Sequence, residues 1–107
     1  MAEIIWTDEA LDTLDKIAEY IAISSEAAAS RLVIRVFEIT DRLEQFPESG
    51  RLVEELREMA YREVIVNPCR VIYKIENETV YILHVARQER DLRRFVIHET
   101  EAEYHSS

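Results

Sequence analysis

Three runs of apolar residues in the second half of the chain predict three consecutive β-strands. The runs are Tyr61 to Val66, Arg70 to Ile75 and Thr79 to Arg87, and all three are rich in valine, isoleucine and tyrosine. Asn67-Pro68 and Glu76-Asn77-Glu78 separate them and leave room only for hairpins. The second and third runs carry apolar residues on both pleat faces, which is typical of central strands covered on more than one side.

A different apolar spacing in the first half predicts two helices. Thr7 is a suitable N-cap for the first helix, and two acidic residues follow it in the first turn. Ser24 and Ser25 interrupt the pattern and can cap a second helix, which ends at Pro47. Apolar residues recur at intervals of three and four in both segments. The short serine connection favours an antiparallel helix pair whose apolar stripes face each other and the sheet.

These elements predict an α+β fold, with two antiparallel N-terminal helices packed on a small twisted antiparallel β-sheet. Glu3 to Trp6 is consistent with an edge strand, and Leu52 to Ala60 with a loop or one helical turn. Gly50 is the only glycine of the chain, and we expect it to adopt a backbone angle that other residues avoid. The predicted core consists of the large apolar residues with helical or strand spacing: Leu11, Leu14, Ile17, Ile21, Leu32, Val36, Phe37, Leu43, Val71, Tyr73, Ile82 and Val85.

The turn between the second and third strands decides which charged side chains share a face. A two-residue turn at Asn77-Glu78 pairs Ile75 with Val80. In that register Arg70 and Arg87 lie diagonally close on one face, where two guanidinium groups would bind a carboxylate or a phosphate. A three-residue turn would shift the register and separate them.

Composition excludes several classes of protein. The 107 residues fit one domain, and no apolar run approaches the length of a membrane span. The N-terminus has neither a basic leader nor a small-residue cleavage site, so we expect a cytoplasmic protein. Cys69 is the only cysteine, and no histidine lies near it in ligand spacing. We therefore expect no disulfide, no metal site and no cofactor.

The net charge of −9 is unevenly distributed along the chain. Residues 1–60 carry six Lys and Arg against fourteen Asp and Glu, whereas residues 61–95 carry seven against five. The predicted sheet is therefore locally basic on an acidic body. A general nucleic-acid binder is usually basic overall, because phosphate neutralisation supplies most of its affinity, and this charge argues against that class. We expect residues 1–98 to form a single domain and residues 99–107 to form an acidic, flexible tail.

Four short segments together resemble a known family. They are Pro47 through Arg51, the Arg62-Glu63 pair, Arg70 through Tyr73, and His84-Val85 followed by Arg87 and Arg90-Asp91. In this order, from about residue 3 to about residue 95, the chain resembles the ParE/RelE superfamily of toxins from bacterial type II toxin–antitoxin systems. The ParE branch is the closer likeness.

The resemblance implies a growth-inhibiting toxin, as in plasmid stabilisation, that a cognate ParD-like or similar antitoxin neutralises by covering its working surface. It also implies two possible activities. ParE-like members block DNA gyrase and cleave nothing. RelE-like members cut messenger RNA in the ribosome, using basic residues on the sheet and an acid–base group near the C-terminus.

The residues depart from the RelE-like pattern. Arg70 matches the sheet arginine with which RelE-like enzymes hold phosphate, but Arg62 is the only cation on the preceding strand. Gln88 occupies the place of a second catalytic arginine, and the tyrosine expected near Arg94-Phe95 is missing. His98 is too displaced to take its role. The resemblance therefore favours a gyrase inhibitor that catalyses no reaction.

Two alternatives stay open. One is a ribosome-dependent endoribonuclease in which Arg62, Arg70 and Arg87 hold phosphates. The other is a non-toxic descendant that keeps only the antitoxin-binding surface. A lone strand histidine such as His84 is more typical of structure than of catalysis. The residues expected to bind the antitoxin or the target are all arginines: Arg51, Arg62, Arg70, Arg87, Arg90, Arg93 and Arg94.

Overall fold

The computed structural model describes residues 1–90 and residue 92, which form two helices packed on a sheet. Helix α1 spans Asp8–Ser24 and α2 spans Glu26–Asp41, and the 3-10 helix Arg42–Glu44 continues α2. The strands are β1 (Glu3–Trp6), β2 (Arg51–Leu52), β3 (Arg62–Val66), β4 (Cys69–Glu76) and β5 (Thr79–Arg87). A second 3-10 helix, Glu54–Met59, connects β2 to β3. The expected acidic tail, 99–107, lies outside the described residues.

The described strands form one sheet in the order β1-β5-β4-β3-β2. Strands β2 to β5 pair with antiparallel neighbours, whereas β1 pairs with β5 in parallel. The predicted α+β fold with two helices on a small sheet is confirmed, and the sheet is mixed rather than wholly antiparallel. Since no hairpin connects β1 to β5, nothing in the local sequence determines their relative direction.

Capping side chains begin both helices where the sequence predicts. The Oγ1 atom of Thr7 accepts a hydrogen bond from the Ala10 amide at 3.1 Å and donates one to the Ile82 carbonyl at 2.8 Å. The Ser25 hydroxyl accepts from the Ala28 amide at 3.0 Å. Each hydroxyl satisfies an amide that the first helical turn leaves without a partner. Thr7 also ties α1 to β5.

The main core lies between the helices and one face of the sheet, which we call the helix face. Eight predicted core residues are buried there: Leu14, Leu32, Val36, Leu43, Val71, Tyr73, Ile82 and Val85. Ile17, Ile21 and Phe37 are half-buried and pack against the cluster. The prediction for Leu11 is wrong, because its side chain is 44% exposed. Leu11 follows the buried Ala10, and one helical step of about 100° turns it away from the sheet.

The opposite side of the sheet, which we call the second face, carries a smaller core. Ile72, Leu83 and Ala86 are buried in it under residues from the β2–β3 connection and under Leu92. The predicted loop or single turn at residues 52–60 thus holds a 3-10 helix that covers part of the sheet. The central strands are covered on both sides, as their apolar pattern predicts.

A β-bulge changes the predicted register halfway along the β4–β5 hairpin. Ile75 pairs with Val80, as the two-residue turn requires. Further along, Tyr73 pairs with Ile82 but Ile72 pairs with His84, so β5 has one extra residue at this point. A regular register continued from the two-residue turn would set His84 opposite Val71 on the other face, and this expectation is wrong, since Val71 pairs with Val85.

The bulge also separates two arginines that the sequence places together. Arg70 pairs with Ala86, which belongs to the core of the second face. Arg87 pairs with Cys69, which belongs to the core of the helix face. Directly paired side chains share a face of the sheet. The prediction that Arg70 and Arg87 form one anion site is therefore wrong.

Gly50 is required for space rather than for an unusual backbone angle. Its φ is not positive, which contradicts the conformation expected from the sequence. A Cβ atom at this position would lie 2.6 Å from both the Glu63 carbonyl oxygen and the Tyr73 hydroxyl. The Gly50 amide donates to that hydroxyl at 2.9 Å, and the hydroxyl donates to the Pro47 carbonyl at 2.7 Å. Tyr73 thus holds the turn before β2 against the sheet.

Candidate functional site

Four charged side chains form a connected cluster on the second face, which we call the Arg70 network: Arg51, Glu55, Glu63 and Arg70. Arg70 lies at its centre and is 5% exposed. Its Nη1 atom donates to Glu55 Oε1 at 3.2 Å and to Glu63 Oε1 at 3.0 Å, and its Nη2 atom donates to Glu55 Oε2. Arg51 Nε donates to Glu63 Oε2 at 2.7 Å. The four formal charges cancel, which lowers the cost of burying Glu63 and Arg70.

The Arg70 network joins distant parts of the chain. Glu55 belongs to the 3-10 helix between β2 and β3, whereas Arg70 belongs to β4. The Leu92 amide donates to Glu55 Oε2 at 3.1 Å, and Arg70 Nη2 donates to the carbonyl of Arg90. The network therefore holds the end of the described chain and the β2–β3 connection on the same face of the sheet.

The pKa shifts of Glu55 and Arg70 keep both groups ionised. Hydrogen bonds from Arg70 lower the pKa of Glu55 to about 2, against a smaller effect of burial in the other direction. The hydrogen bond to Glu55 is the main cause that raises the pKa of Arg70. Neither group changes its protonation near neutral pH. Arg70 is thus a cation with two carboxylates of its own chain, rather than a free phosphate ligand.

Arg62 lies on the helix face and supports the turn before β2. It pairs with Tyr73 across β3 and β4. Its Nη1 atom donates to the Gly50 carbonyl at 2.7 Å and to the Glu48 carbonyl at 3.3 Å. Arg51, by contrast, has a side chain that is 69% exposed although its Nε binds the buried Glu63. Arg62 therefore contacts the turn from the helix face, whereas the Arg51 side chain contacts Glu63 on the second face.

Arg87 and Arg90 lie at the end of β5. The Arg87 guanidinium lies 5.1 Å from the centre of the Tyr20 ring on α1, a cation–π contact. Arg90 is exposed. Arg62, Arg70 and Arg87, the three arginines of the nuclease alternative, thus have separate surroundings. Arg93 and Arg94 lie outside the described residues.

His84 is buried beside α1, at the edge of a cavity of about 620 Å³ that Thr13 and Lys16 also line. Its Nδ1 lies 3.1 Å from Glu9 Oε2. Burial is the main cause that lowers the pKa of His84 to about 4, and the charges of Arg90 and Arg70 act in the same direction. The imidazole is therefore neutral at pH 7 and hydrogen-bonded, as expected of a structural histidine.

An apolar groove runs along the outside of the two helices, and we call it the hairpin groove. Ala18, Ala22, Ala29 and Val33 line its floor, which encloses about 550 Å³. It continues towards the exposed Leu11 and towards Phe37. The acidic residues Asp12, Asp15, Glu19 and Glu26 stand along its sides. The surface is thus apolar at its floor and anionic at its rim.

Residues 1–90 and 92 contain neither a cluster of metal ligands nor a membrane span. No three His, Cys, Asp or Glu side chains in this part of the chain converge as metal ligands. No helix within it combines the length and the apolar character needed to cross a bilayer. The pKa of Cys69 is raised by burial, so its thiol is protonated at neutral pH.

The family model for the ParE toxin of type II toxin–antitoxin systems matches residues 4–92. The chain belongs to the ParE toxin family. Among curated relatives, this ParE-family chain is 35% identical to toxin RelE2 of Caulobacter vibrioides over 91 residues, which cover 84% of this chain and 99% of the relative. It is 34% identical to the Y4kP protein of Sinorhizobium fredii over 84 residues, which cover 76% of this chain and 88% of the relative.

A solved structure supports the fold of this ParE-family toxin. A chain from the chromosomal ParDE toxin–antitoxin system of P. aeruginosa superposes with a TM-score of 0.66 and 22% sequence identity. The match covers 83% of this chain and 98% of that chain. At this identity the likeness concerns the fold.

Sequence reasoning missed Glu55 as a member of the charged site. Glu55 is one of three glutamates in a strongly charged segment, and nothing in their spacing marks it out. Glu54 forms an exposed ion pair with Arg57, whereas Glu55 reaches Arg70 on β4. Only the packing of the 3-10 helix on the sheet distinguishes the two neighbours.

Proposed function

We propose that this ParE-family toxin inhibits growth in the cytoplasm by binding DNA gyrase, that it cleaves no substrate, and that a cognate antitoxin neutralises it. The observation that carries the proposal is the separation of Arg62, Arg70 and Arg87. Cleavage of RNA needs cations around one phosphate and an acid–base pair within hydrogen-bond reach of the reacting oxygens. Arg70 is buried against two carboxylates, and Arg62 and Arg87 have other partners.

The protonation state of His84 gives further support. A general acid at neutral pH must carry a proton that it can donate. The pKa of His84 is lowered to about 4, so the buried imidazole is neutral and has no excess proton at pH 7. A protein that blocks its target needs only a complementary surface. The exposed Arg51 and the arginines at the end of β5 supply charged groups for such a surface.

We place the antitoxin on the hairpin groove. Its alanine floor leaves room for large apolar side chains, and Ile34 beside it is 57% exposed. The acidic rim favours a segment with Lys or Arg on its polar side, because complementary charges steer and orient a partner. The occupant is therefore an amphipathic helix of the antitoxin with a basic polar face.

The two toxic activities are separated by inducing the toxin without an antitoxin. We expect loss of gyrase supercoiling and gyrase-dependent DNA breaks, together with intact translated messages in primer extension. The double variant Arg87→Ala and Arg90→Ala should weaken gyrase inhibition by about tenfold or more, as for residues that contribute strongly to an interface. The matched control, Arg31→Ala with Arg42→Ala, removes two exposed arginines from the helices and should leave inhibition unchanged.

Codon-specific cuts in messages with normal supercoiling would contradict the gyrase proposal and favour the endoribonuclease. Normal growth with neither activity would favour the non-toxic descendant. For the antitoxin surface, Ala22→Glu should prevent formation of the complex because it adds bulk and charge to the groove floor. Binding of the antitoxin to this variant with unchanged affinity would exclude the hairpin groove.

A further inference from the structure

The segment between β2 and β3 is closed on itself and lies over the second face, and we call residues 53–61 the strap. The Val53 amide donates to the Tyr61 carbonyl at 2.9 Å, which joins its two ends. Both end residues are buried in the core of the second face, and Leu56 is half-buried against it. Glu54, Arg57, Glu58 and Met59 are exposed. The strap thus contacts the sheet through a few anchors, chiefly its ends, Glu55 and Leu56.

The backbone of the strap is unfavourable by itself. The segment Glu54–Met59 consists of two short 3-10 turns rather than one continuous helix. Leu56 interrupts it with non-helical angles, φ −132° and ψ 39°. Ala60 then adopts the left-handed region at φ 59°, where a side chain is disfavoured. The contacts with the sheet, rather than local preference, must hold this conformation.

What the strap covers has the composition of a binding site. The Arg70 guanidinium offers a buried cation, and its Nε atom is buried with no hydrogen-bond partner among the described residues. Ile72 and Leu83 form an apolar floor beside it. The strap supplies one carboxylate, from Glu55, to the cation and apolar side chains to the floor.

We propose that the strap is an internal occupant of a peptide-binding site on the second face, and that it opens to admit a segment of a partner protein with a carboxylate beside apolar residues. Glu55 and Leu56 mimic that segment. The ligand is a peptide rather than a phosphate because the present occupant combines a carboxylate with apolar contacts, and a phosphate would leave Ile72 and Leu83 uncovered. The closed strap therefore competes with the peptide segment of the partner protein for the second face. This competition is independent of the target that the toxin inhibits.

Native-state hydrogen exchange tests the opening in the unmodified protein. The Val53 amide is bonded within the strap, and the Leu92 amide is bonded to Glu55. We expect both amides to exchange through a local opening at least about tenfold faster than the amides of β4 and β5. Exchange of both amides only at the rate of global unfolding would overturn the proposal, because the strap would then be a fixed part of the core.

Glu55→Gln and Glu54→Gln form a matched pair for testing the anchor. They make the same chemical change in adjacent residues, but Glu55 binds the buried Arg70 whereas Glu54 pairs with the exposed Arg57. E55Q should accelerate exchange at Val53 and Leu92 by about tenfold or more, and E54Q should have no effect. Equal effects of the two substitutions would refute Glu55 as the anchor. If E55Q does not fold, Glu55→Asp keeps the charge with a shorter reach and serves in its place.

The ligand class is tested on the E55Q protein with a synthetic peptide of residues 53–61. We expect this peptide to slow exchange at Leu92, and the same peptide carrying E55Q to bind at least about tenfold more weakly, since it lacks the carboxylate. Inorganic phosphate at matched ionic strength should have no effect. Protection by phosphate alone would identify a general oxyanion site and overturn the peptide assignment. Protection by neither probe would show that the second face is ordinary core.

Discussion

Tyr73 constrains a turn that lies more than twenty residues before it in the chain. Its hydroxyl accepts from the Gly50 amide and donates to the Pro47 carbonyl, and its ring is fully buried. The turn leads directly into β2, so it determines where Arg51 meets Glu63. One buried phenol thereby aligns an edge of the Arg70 network.

Gly50→Ala tests this close contact. The added Cβ would lie 2.6 Å from the Tyr73 hydroxyl and 2.8 Å from Tyr73 Cε1. Because both the phenol and the backbone of β3 are held by packing, we expect a loss of about 1–3 kcal/mol in the free energy of unfolding. Denaturant melts measure it, with Ser49→Ala as the control at the exposed neighbour. A change below about 0.5 kcal/mol would mean that the turn moves away freely.

The α1 helix shows how one element divides its side chains among three surroundings. Ala10 and Leu14 are buried against the sheet, and Thr7 at the N-cap bonds to β5. Leu11 instead lines the continuation of the hairpin groove. The same apolar residue type thus serves the core at one position and an exposed surface three residues earlier.

Leu14→Ala and Leu11→Ala compare these two surroundings within one helix. Leu14 is 4% exposed and Leu11 is 44% exposed. We expect the Leu14 substitution to lower the free energy of unfolding by about 2–5 kcal/mol, through lost burial and the cavity left behind. The Leu11 substitution should cost under about 1 kcal/mol. Equal losses in urea melts would show that the two residues have the same packing and would contradict the assignment of the α1 faces.

At the scale of the whole molecule, acidic residues outnumber basic ones, and yet the charges grouped around the buried Arg70 are balanced. The net charge is −9, whereas the Arg70 network pairs two arginines with two glutamates. His84 adds a neutral imidazole in the interior. As pH falls, His84 therefore gains a proton before Glu55 does.

We expect stability to fall with pH in two stages. The folded pKa of His84 is about 4 against an ordinary 6.5, so its contribution is complete above pH 6.5 and is lost as pH falls towards 4. The loss should be about 2–3 kcal/mol, because the nearby Glu9 carboxylate favours the charged form and offsets part of the penalty. The folded pKa of Glu55 is about 2 against 4.5, so its contribution is lost between those values.

Urea melts across this pH range, with His84→Gln as the variant, measure the first stage. The variant should lose the decline between pH 6.5 and 4 and keep the steeper acid limb below it. A variant with the same pH profile as the original protein would show that His84 is not the titrating group. A profile that rises as pH falls through this range would mean that Glu9 raises the histidine pKa more than burial lowers it.

The amino-acid sequence by itself determined both helices, strands β3 to β5 and much of the helix-face core, but not the short strand β2. Hydroxyl caps at Thr7 and Ser25, periodic apolar residues and the two-residue turn at Asn77-Glu78 act over a few residues, so their consequences can be read locally. The family likeness also rests on short local segments, and the match over residues 4–92 confirms it.

Only the tertiary structure decided on which face of the sheet each arginine lies and which residues it contacts. The bulge beside Ile72 shifts the β4–β5 register by one residue. Each β5 residue beyond the bulge therefore lies on the opposite face from the one that a regular hairpin would give it, and no turn signal in the sequence predicts this shift. It sets Arg70 opposite Ala86 and leaves Arg87 on the other face. One of the two carboxylate partners of Arg70 is Glu55, which lies fifteen residues away in the sequence, in the segment between β2 and β3. The sheet face of a charged residue and its ion-pair partner depend on strand register and on packing between segments far apart in the chain. Local sequence patterns therefore cannot predict them.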